Sequence, residues 1–286
     1  MIARALLLVL TGAATLLVAG SHDQVAVYTG NETASDARAA ARAAAPTNLA
    51  AALAAQDFPY YTYTGKWTFI RIRTNGWRRG FSRRGWGPIG SSSGPGWSHD
   101  YPDAERNFSK ILRELTFVHS LVEDYGGNIL TFDDPRLTQF PLAYISEPGQ
   151  WEVTDDEIKG LRNYILKGGF LIFDDFQGRD LFTLAEQMKH VMPELNWIPL
   201  DGSEPIFDSF FKIEPATIQF SVYGMQPDWY GLFVENDRSK RMIAVAANNG
   251  DFGEQWEYSD RGFYPIDISN EAYKVGINYV VYAMTH

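Results

Sequence analysis

Apolar positions along the chain switch repeatedly between two periods, and the switches mark out alternating strands and helices. Residues 66–73 (KWTFIRIR) alternate polar with apolar or aromatic side chains, the period of a strand. After Pro102 and Asp103, the residues Phe108, Ile111, Leu112, Leu115 and Val118 recur at three- and four-residue steps and predict an amphipathic helix. Short uninterrupted runs at 128–132 and 142–146 predict two more strands. A third run at 170–173 (FLIF) has the character of a strand covered on both faces. Ahead of it, Thr154 and Glu157 make a capping box, and Asp155 and Asp156 add favourable negative charge at the helix start. Ile158, Leu161, Ile165 and Leu166 form that helix's buried stripe, and Gly168 stops it. This strand–helix–strand unit predicts parallel strands joined by a right-handed crossover. Residues 180–192 predict another helix, with Leu181, Leu184, Met188 and Val191 inward. Short strands follow at 197–200, 230–235 and 242–247, with a short helix or turn at 205–213 and a closing helix at 270–285. The alternation predicts an α/β fold: a doubly wound, mostly parallel sheet with helices on both faces, a three-layer sandwich.

Composition divides the chain into parts. With 286 residues and 45% of them hydrophobic, it supports one large globular domain, placed at 63–286. Residues 21–62 are alanine-rich and read as a poorly ordered tether. Residues 1–20 carry one early arginine, Arg4, an apolar run from Ala5 to Ala19, and small residues at Val18, Ala19 and Gly20, the pattern of a secretory signal. The run is shorter than the roughly 20 residues a spanning helix needs. The expected location is therefore periplasmic or otherwise extracytoplasmic, with membrane attachment only through this segment if it stays uncleaved. A net charge of −10 argues against nucleic-acid binding, which draws on a basic face. The absence of cysteine removes disulfides, thiolate ligands and cysteine nucleophiles together.

Ligands of an open parallel sheet bind outside the carboxyl ends of its strands. The loops at those ends carry Asp133, Asp134, Glu147, Trp151, Asp174 and Asp175. His99, Asp100 and Tyr101 arrive from the first long loop, and Asn248, Asn249, Asp251 and Glu254 from the last. Asp175, Asp174, Glu147 and His99 are the catalytic candidates; Asp100, Tyr101, Trp151, Phe176, Asn248, Asp251 and Trp256 are the candidate binding residues. No cofactor is expected, although carboxylates with a histidine admit a divalent cation that activates water. Two carboxylates held apart would also suit a glycosidic bond, with Trp97, Trp151 or Trp256 stacking on the sugar. The bland reading gives Asp174 and Asp175 structural work, capping the helix near Asp180 or accepting amides in a turn. Residues 74–98, with Arg78, Arg79, Arg83 and Arg84 among Trp77, Phe81 and Trp86, read as a lid or as a solvated loop. His119, His190 and His286 fall on predicted helices as surface or packing residues. Ser146 lacks a nucleophile elbow, and neither a zinc-protease helix motif nor a phosphate-binding loop is present.

Several motifs occur in order from about Tyr63 to the end: HDYPDAERN at 99–107, SEPGQW at 146–151, GGFLIFDDF, IPLDGSEPIFDSFF and the closing NYVVYAMTH. On these the chain resembles the bacterial domain-of-unknown-function family numbered 4159. The resemblance implies an exported, glutamine-amidotransferase-like sheet domain, related to sugar-utilisation and trimerisation domains, with no established activity. It also implies envelope partners bearing von Willebrand A-type modules or AAA-type ATPases. Active amidotransferases of that fold carry a cysteine in the turn after a central strand, where this chain has Asp174, Asp175 and Phe176, so the glutaminase reaction is excluded. Related sugar-utilisation domains place a site histidine where Asp175 falls. The expectation is a degenerate site that binds a glycan, peptide or partner protein in the cell envelope. The alternative is an envelope hydrolase, carbohydrate-directed or metal-dependent, using Asp174, Asp175, Glu147 and His99. A third possibility is an oligomerisation domain whose rim is filled by its own side chains.

Overall fold

The computed structural model describes residues 58–74, 95–218 and 226–286, together with the backbone of two short strands near the amino terminus. Those two, β1 (Val18–Ser21) and β2 (Gln24–Val27), pair antiparallel as a hairpin. The remainder of the signal segment, most of the tether and the arginines of the 74–98 loop lie outside the described residues.

Seven strands form the main sheet: β3 (Phe69–Ile72), β4 (Gly127–Leu130), β5 (Leu142–Ser146), β6 (Phe170–Phe176), β7 (Ile198–Pro199), β8 (Asp228–Phe233) and β9 (Met242–Asn248). Their order is β4-β3-β5-β6-β9-β8-β7. The first five run parallel, while β8 runs antiparallel to both β9 and β7. The mostly parallel α/β sheet expected from the sequence is therefore present. Helices α1 (Asp103–Leu115), α4 (Phe252–Glu257) and α5 (Ile266–Thr285) contribute Phe108, Leu112, Trp256, Val275 and Tyr279 to one core. Helices α2 (Asp155–Leu166) and α3 (Asp180–Val191) contribute Leu161, Ile165, Leu184 and Met188 to the other. Two separate apolar clusters on a single sheet are what three layers require.

The α2 unit forms as its sequence dictates. Thr154 Oγ1 accepts the Glu157 amide, Glu157 Oε2 accepts the Thr154 amide at 3.0 Å, and Gly168 closes the helix with φ +99°. Gly160 lets α2 lie against the chain leaving β4, since a Cβ there would come within 2.1 Å of the Phe132 carbonyl oxygen.

The parallel strands, taken in chain order, occupy sheet positions that reverse direction at β3. From β3 the chain steps outward to β4, then crosses to β5 on the other side. Connections thus leave the carboxyl ends of β3 and β5 in opposite directions, the arrangement at which open α/β sheets form their ligand crevice.

Several expectations need correction. Residues 58–62 belong to the domain and not to a tether: Phe58 packs edge-on against Trp97 and Tyr101, and the Tyr61 amide donates to Asn128 Oδ1 at 2.7 Å. Helix α1 ends at Leu115, which leaves Val118 outside it and His119 in an exposed loop. Strand β6 does not stop at Phe173 but carries Asp174 and Asp175 within it. Helix α4 has no counterpart in the predicted elements because its six residues make fewer than two turns, too few to set up a period, and its Glu254, Gln255 and Glu257 are buried with the apolar residues. Among the described residues no helix is long and apolar enough to cross a membrane.

Candidate functional site

The β3/β5 crevice brings together three side chains from separate elements. His99 follows a short turn (Gly96–Ser98) on the long connection from β3. Glu147 is the first residue beyond β5, and Asp175 projects from near the end of β6. His99 Nδ1 lies 2.7 Å from Glu147 Oε1 and 3.2 Å from Asp175 Oδ2. Ser146 Oγ donates to the same Asp175 oxygen at 3.3 Å.

Local backbone geometry aims these groups. Phe173 pairs with Ala246 and Phe176 with Asn248, so β6 carries one residue more than β9 between the two pairings. A bulge of this kind breaks the alternation and redirects a side chain. Asp175 sits in it with φ +55°, Glu147 has φ +47° and Asp100 has φ +63°. Left-handed conformations at non-glycine residues cost on the order of 1–3 kcal/mol each, and they persist where the surroundings hold them. Here the surroundings fit closely: a Cβ on Gly96 would lie 2.4 Å from Glu147 Oε2. Gln150 Nε2 donates to that carboxylate as well.

His99 and Glu147 are each 13% exposed, enough to reach solvent while losing most of its screening. Burial alone would pull the imidazolium's pKa down. The hydrogen bonds to Asp175 and Glu147, with the charges behind them, outweigh burial and push it up to about 10. His99 is therefore a cation across the neutral range. Its Nε2 is buried and finds no hydrogen-bond partner among the described residues.

Asp174 serves a different purpose. It is fully buried, and its Oδ2 accepts from the Tyr144 hydroxyl at 2.7 Å and from the Phe252 and Gly253 amides at 2.9 and 3.1 Å. Burial raises its pKa, the Tyr144 hydrogen bond opposes that, and the Asp175 charge adds to it. The bland reading, in which this aspartate accepts amides, holds; the helix it caps is α4, however, not the one beginning at Asp180. That helix, α3, has no side-chain cap.

Asp251 caps α4 through the Glu254 amide at 2.9 Å. One oxygen each from Asp100, Asp175 and Asp251 lie within 4.8 Å of one another, as do single oxygens from Asp100, Glu254 and Glu257. Asp100 from the first loop and Asp251 from the last thus lie beside Asp175. Asn248 is buried at the end of β9, opposite Phe176.

Other candidates are placed elsewhere. Asp133 is exposed, and Asp134 grips the Arg136 guanidinium at 2.9 and 3.1 Å beside its own turn. Trp151 is 1% exposed between Phe132 and Phe173, with ring centroids 5.2 and 6.1 Å away. Trp256, also 1% exposed, packs 4.6 Å from Phe108. Phe176 and Trp97 are buried too, and Tyr101 is enclosed beside Phe58. Consequently none of the three tryptophans offers a ring face to a sugar. These rings are core because the layers need volume near the carboxyl ends of the strands, which sequence cannot separate from a stacking platform.

One neighbouring pair escaped the sequence reading. Arg71 is fully buried on β3; it pairs with Glu105 of α1, donates from Nη1 to the Trp97 carbonyl at 2.9 Å, and lies 5.0 Å from the Tyr144 ring centre. Its place in an alternating strand suggested a wet face, whereas α1 covers that face. The available signal was Glu105 in HDYPDAERN, an acidic residue on a helix that must pack against a strand bearing arginine.

Together the fold and the rim define a three-layer α/β domain of flavodoxin-like strand order whose acidic, histidine-bearing site lies at the reversal point of the sheet. The chain belongs to the domain-of-unknown-function family DUF4159, whose family model matches residues 87–284. No curated protein matches its sequence.

Proposed function

We propose that this is an exported domain that uses a degenerate amidotransferase-like site to bind a peptide or partner protein in the cell envelope. The observation that carries the reading is Asp175: a carboxylate held by Ser146 and His99 stands at the end of the central strand, in a chain without cysteine. Burial of Trp97, Trp151 and Trp256 favours a peptide over a glycan, because sugar recognition draws on exposed aromatic faces. Glu147, 13% exposed, stands at the outer side of the carboxylate cluster of Asp175, Asp100 and Asp251, and a segment bearing lysine, arginine or a free amino terminus complements that acidic rim. Calorimetric titration with cationic, neutral and acidic envelope-derived peptides, alongside glycans, tests this. Cationic peptides should bind best, and Glu147→Gln should weaken them about tenfold. Preference for neutral glycans, or full affinity in the variant, would reject the reading.

A second reading, an envelope hydrolase, is favoured by the convergence of Glu147 and Asp175 on one imidazole. An imidazolium whose pKa is about 10 is a poor base at neutral pH, so the carboxylates would carry proton transfer. Asp175→Asn should then abolish turnover of whichever envelope substrate is cleaved, with the melting temperature nearly unchanged. Undiminished turnover removes Asp175 from that role.

A further inference from the structure

His99, Glu147 and Asp175 meet as one imidazole and two carboxylates, a donor set distinct from the purely acidic groups around Asp100. We infer that these three side chains form a binding site for a single first-row divalent ion of the Mn2+ or Zn2+ class. The inference rests on the rim being the working site, as argued above, and specifies what that rim holds.

Geometry supplies the first support. Bonds of roughly 2.1 Å set at right angles place neighbouring ligand atoms about 3 Å apart. Nδ1 lies 2.7 Å from one carboxylate oxygen and 3.2 Å from the other, and all three atoms fall within 4.8 Å of one another. The heavy atoms need no rearrangement to become ligands; the Nδ1 proton leaves to solvent as the ion takes its place between the carboxylates. Each comes from a different element, and two are fixed by left-handed backbone, so the trio is set before any ion arrives.

Donor chemistry selects the ion. Imidazole nitrogen suits zinc and its first-row neighbours, whereas carboxylate oxygen suits manganese as well. Calcium prefers six to eight oxygens, and sulfur-seeking metals have no thiolate here. The site also lies where the sheet reverses, which in open α/β sheets is where ligands collect. The two carboxylates beside the imidazole supply the negative charge that a divalent ion requires. Three protein ligands leave coordination positions open, as sites that act on a bound group require.

The full-length protein, stripped with a chelator, would be titrated with MnCl2 while the spin-resonance signal of free Mn2+ is followed, then challenged with ZnCl2. One equivalent should bind and Zn2+ should displace it. Glu147→Gln and His99→Ala should each weaken Mn2+ binding at least tenfold, while the exposed Glu194→Gln leaves it unchanged. If His99→Ala fails to fold, Glu147→Gln decides alone, because glutamine keeps the shape of the side chain. Failure of the wild type to bind one equivalent, or binding that survives the substitutions, overturns the site. Peptide titration repeated in chelator separates the two proposals. Peptide captured without any metal binding sinks the ion alone, and metal bound without peptide capture sinks only the peptide reading.

Discussion

Asp174 sends one oxygen to the Tyr144 hydroxyl and to two α4 amides, while Asp175 turns toward His99 and Ser146. Adjacent residues with the same carboxylate thus hold a helix in one case and face the crevice in the other, separated by one bulge. Tyr144→Phe deletes a single donor to Asp174 and leaves both amides in place. It should cost about 1 kcal/mol, the usual net worth of a buried hydrogen bond, as a lower urea midpoint at unchanged slope; an unchanged midpoint would show that the hydroxyl contributes nothing. Arg71 and Glu105 offer a sharper contrast. Arg71→Met strands the Glu105 carboxylate in the core and should cost about 3–5 kcal/mol. Adding Glu105→Leu should recover most of that loss, since an apolar pair needs no charge compensation. A double-mutant cycle in urea checks it, and additive losses would mean the two charges act independently.

Among elements, α2 shows how a sequence rule can be right locally and reversed by packing. Alanine in place of a mid-helix glycine normally stabilises by roughly 0.5–1 kcal/mol. At Gly160 the new Cβ would meet the Phe132 carbonyl at 2.1 Å, so Gly160→Ala should lower the melting temperature by calorimetry. A rise would mean that α2 stands further from the β4 exit. The same element explains what sequence could reveal. Capping by Thr154 and Glu157, the stripe of Leu161 and Ile165, and the stop at Gly168 are encoded within a few residues and appear as read, whereas Leu166, placed in the same buried stripe, is exposed. The strand β5 run at 142–146 likewise appears residue for residue. Asp175 and Glu147 were legible as rim residues because strand ends select the rim. Nothing local encoded the bulge that extends β6 past Phe173, the burial of Trp151 and Trp256, or the pairing of Arg71 with Glu105. Each of these depends on residues distant in sequence being brought into contact, as when Trp151 meets Phe132 and Trp256 meets Phe108.

For the whole molecule, strand order sets both the location of the site and the distribution of stability. The centre of the sheet, β5-β6-β9, is flanked by strands on each side and covered by helices on both faces. Of the two edges, β4 and β7, the shorter is β7, a two-residue strand paired only to β8. Local opening draws on regions with few buried contacts, so native-state hydrogen exchange should release β7 first and the amides of β5, β6 and β9 last. A ligand in the β3/β5 crevice adds protection only where binding must be undone before the backbone opens. Protection on ligand addition should therefore appear at 96–101, 146–151, 174–176 and 248–254, segments remote from one another in sequence and adjoining only at the reversal point. It should be absent from the amides of 198–217, which cluster around the β7 edge. Protection confined to that edge would relocate the working surface to the other end of the sheet. Uniform slowing across β5, β6 and β9 would instead report global stabilisation without marking any site, and the β3/β5 crevice would lose its claim.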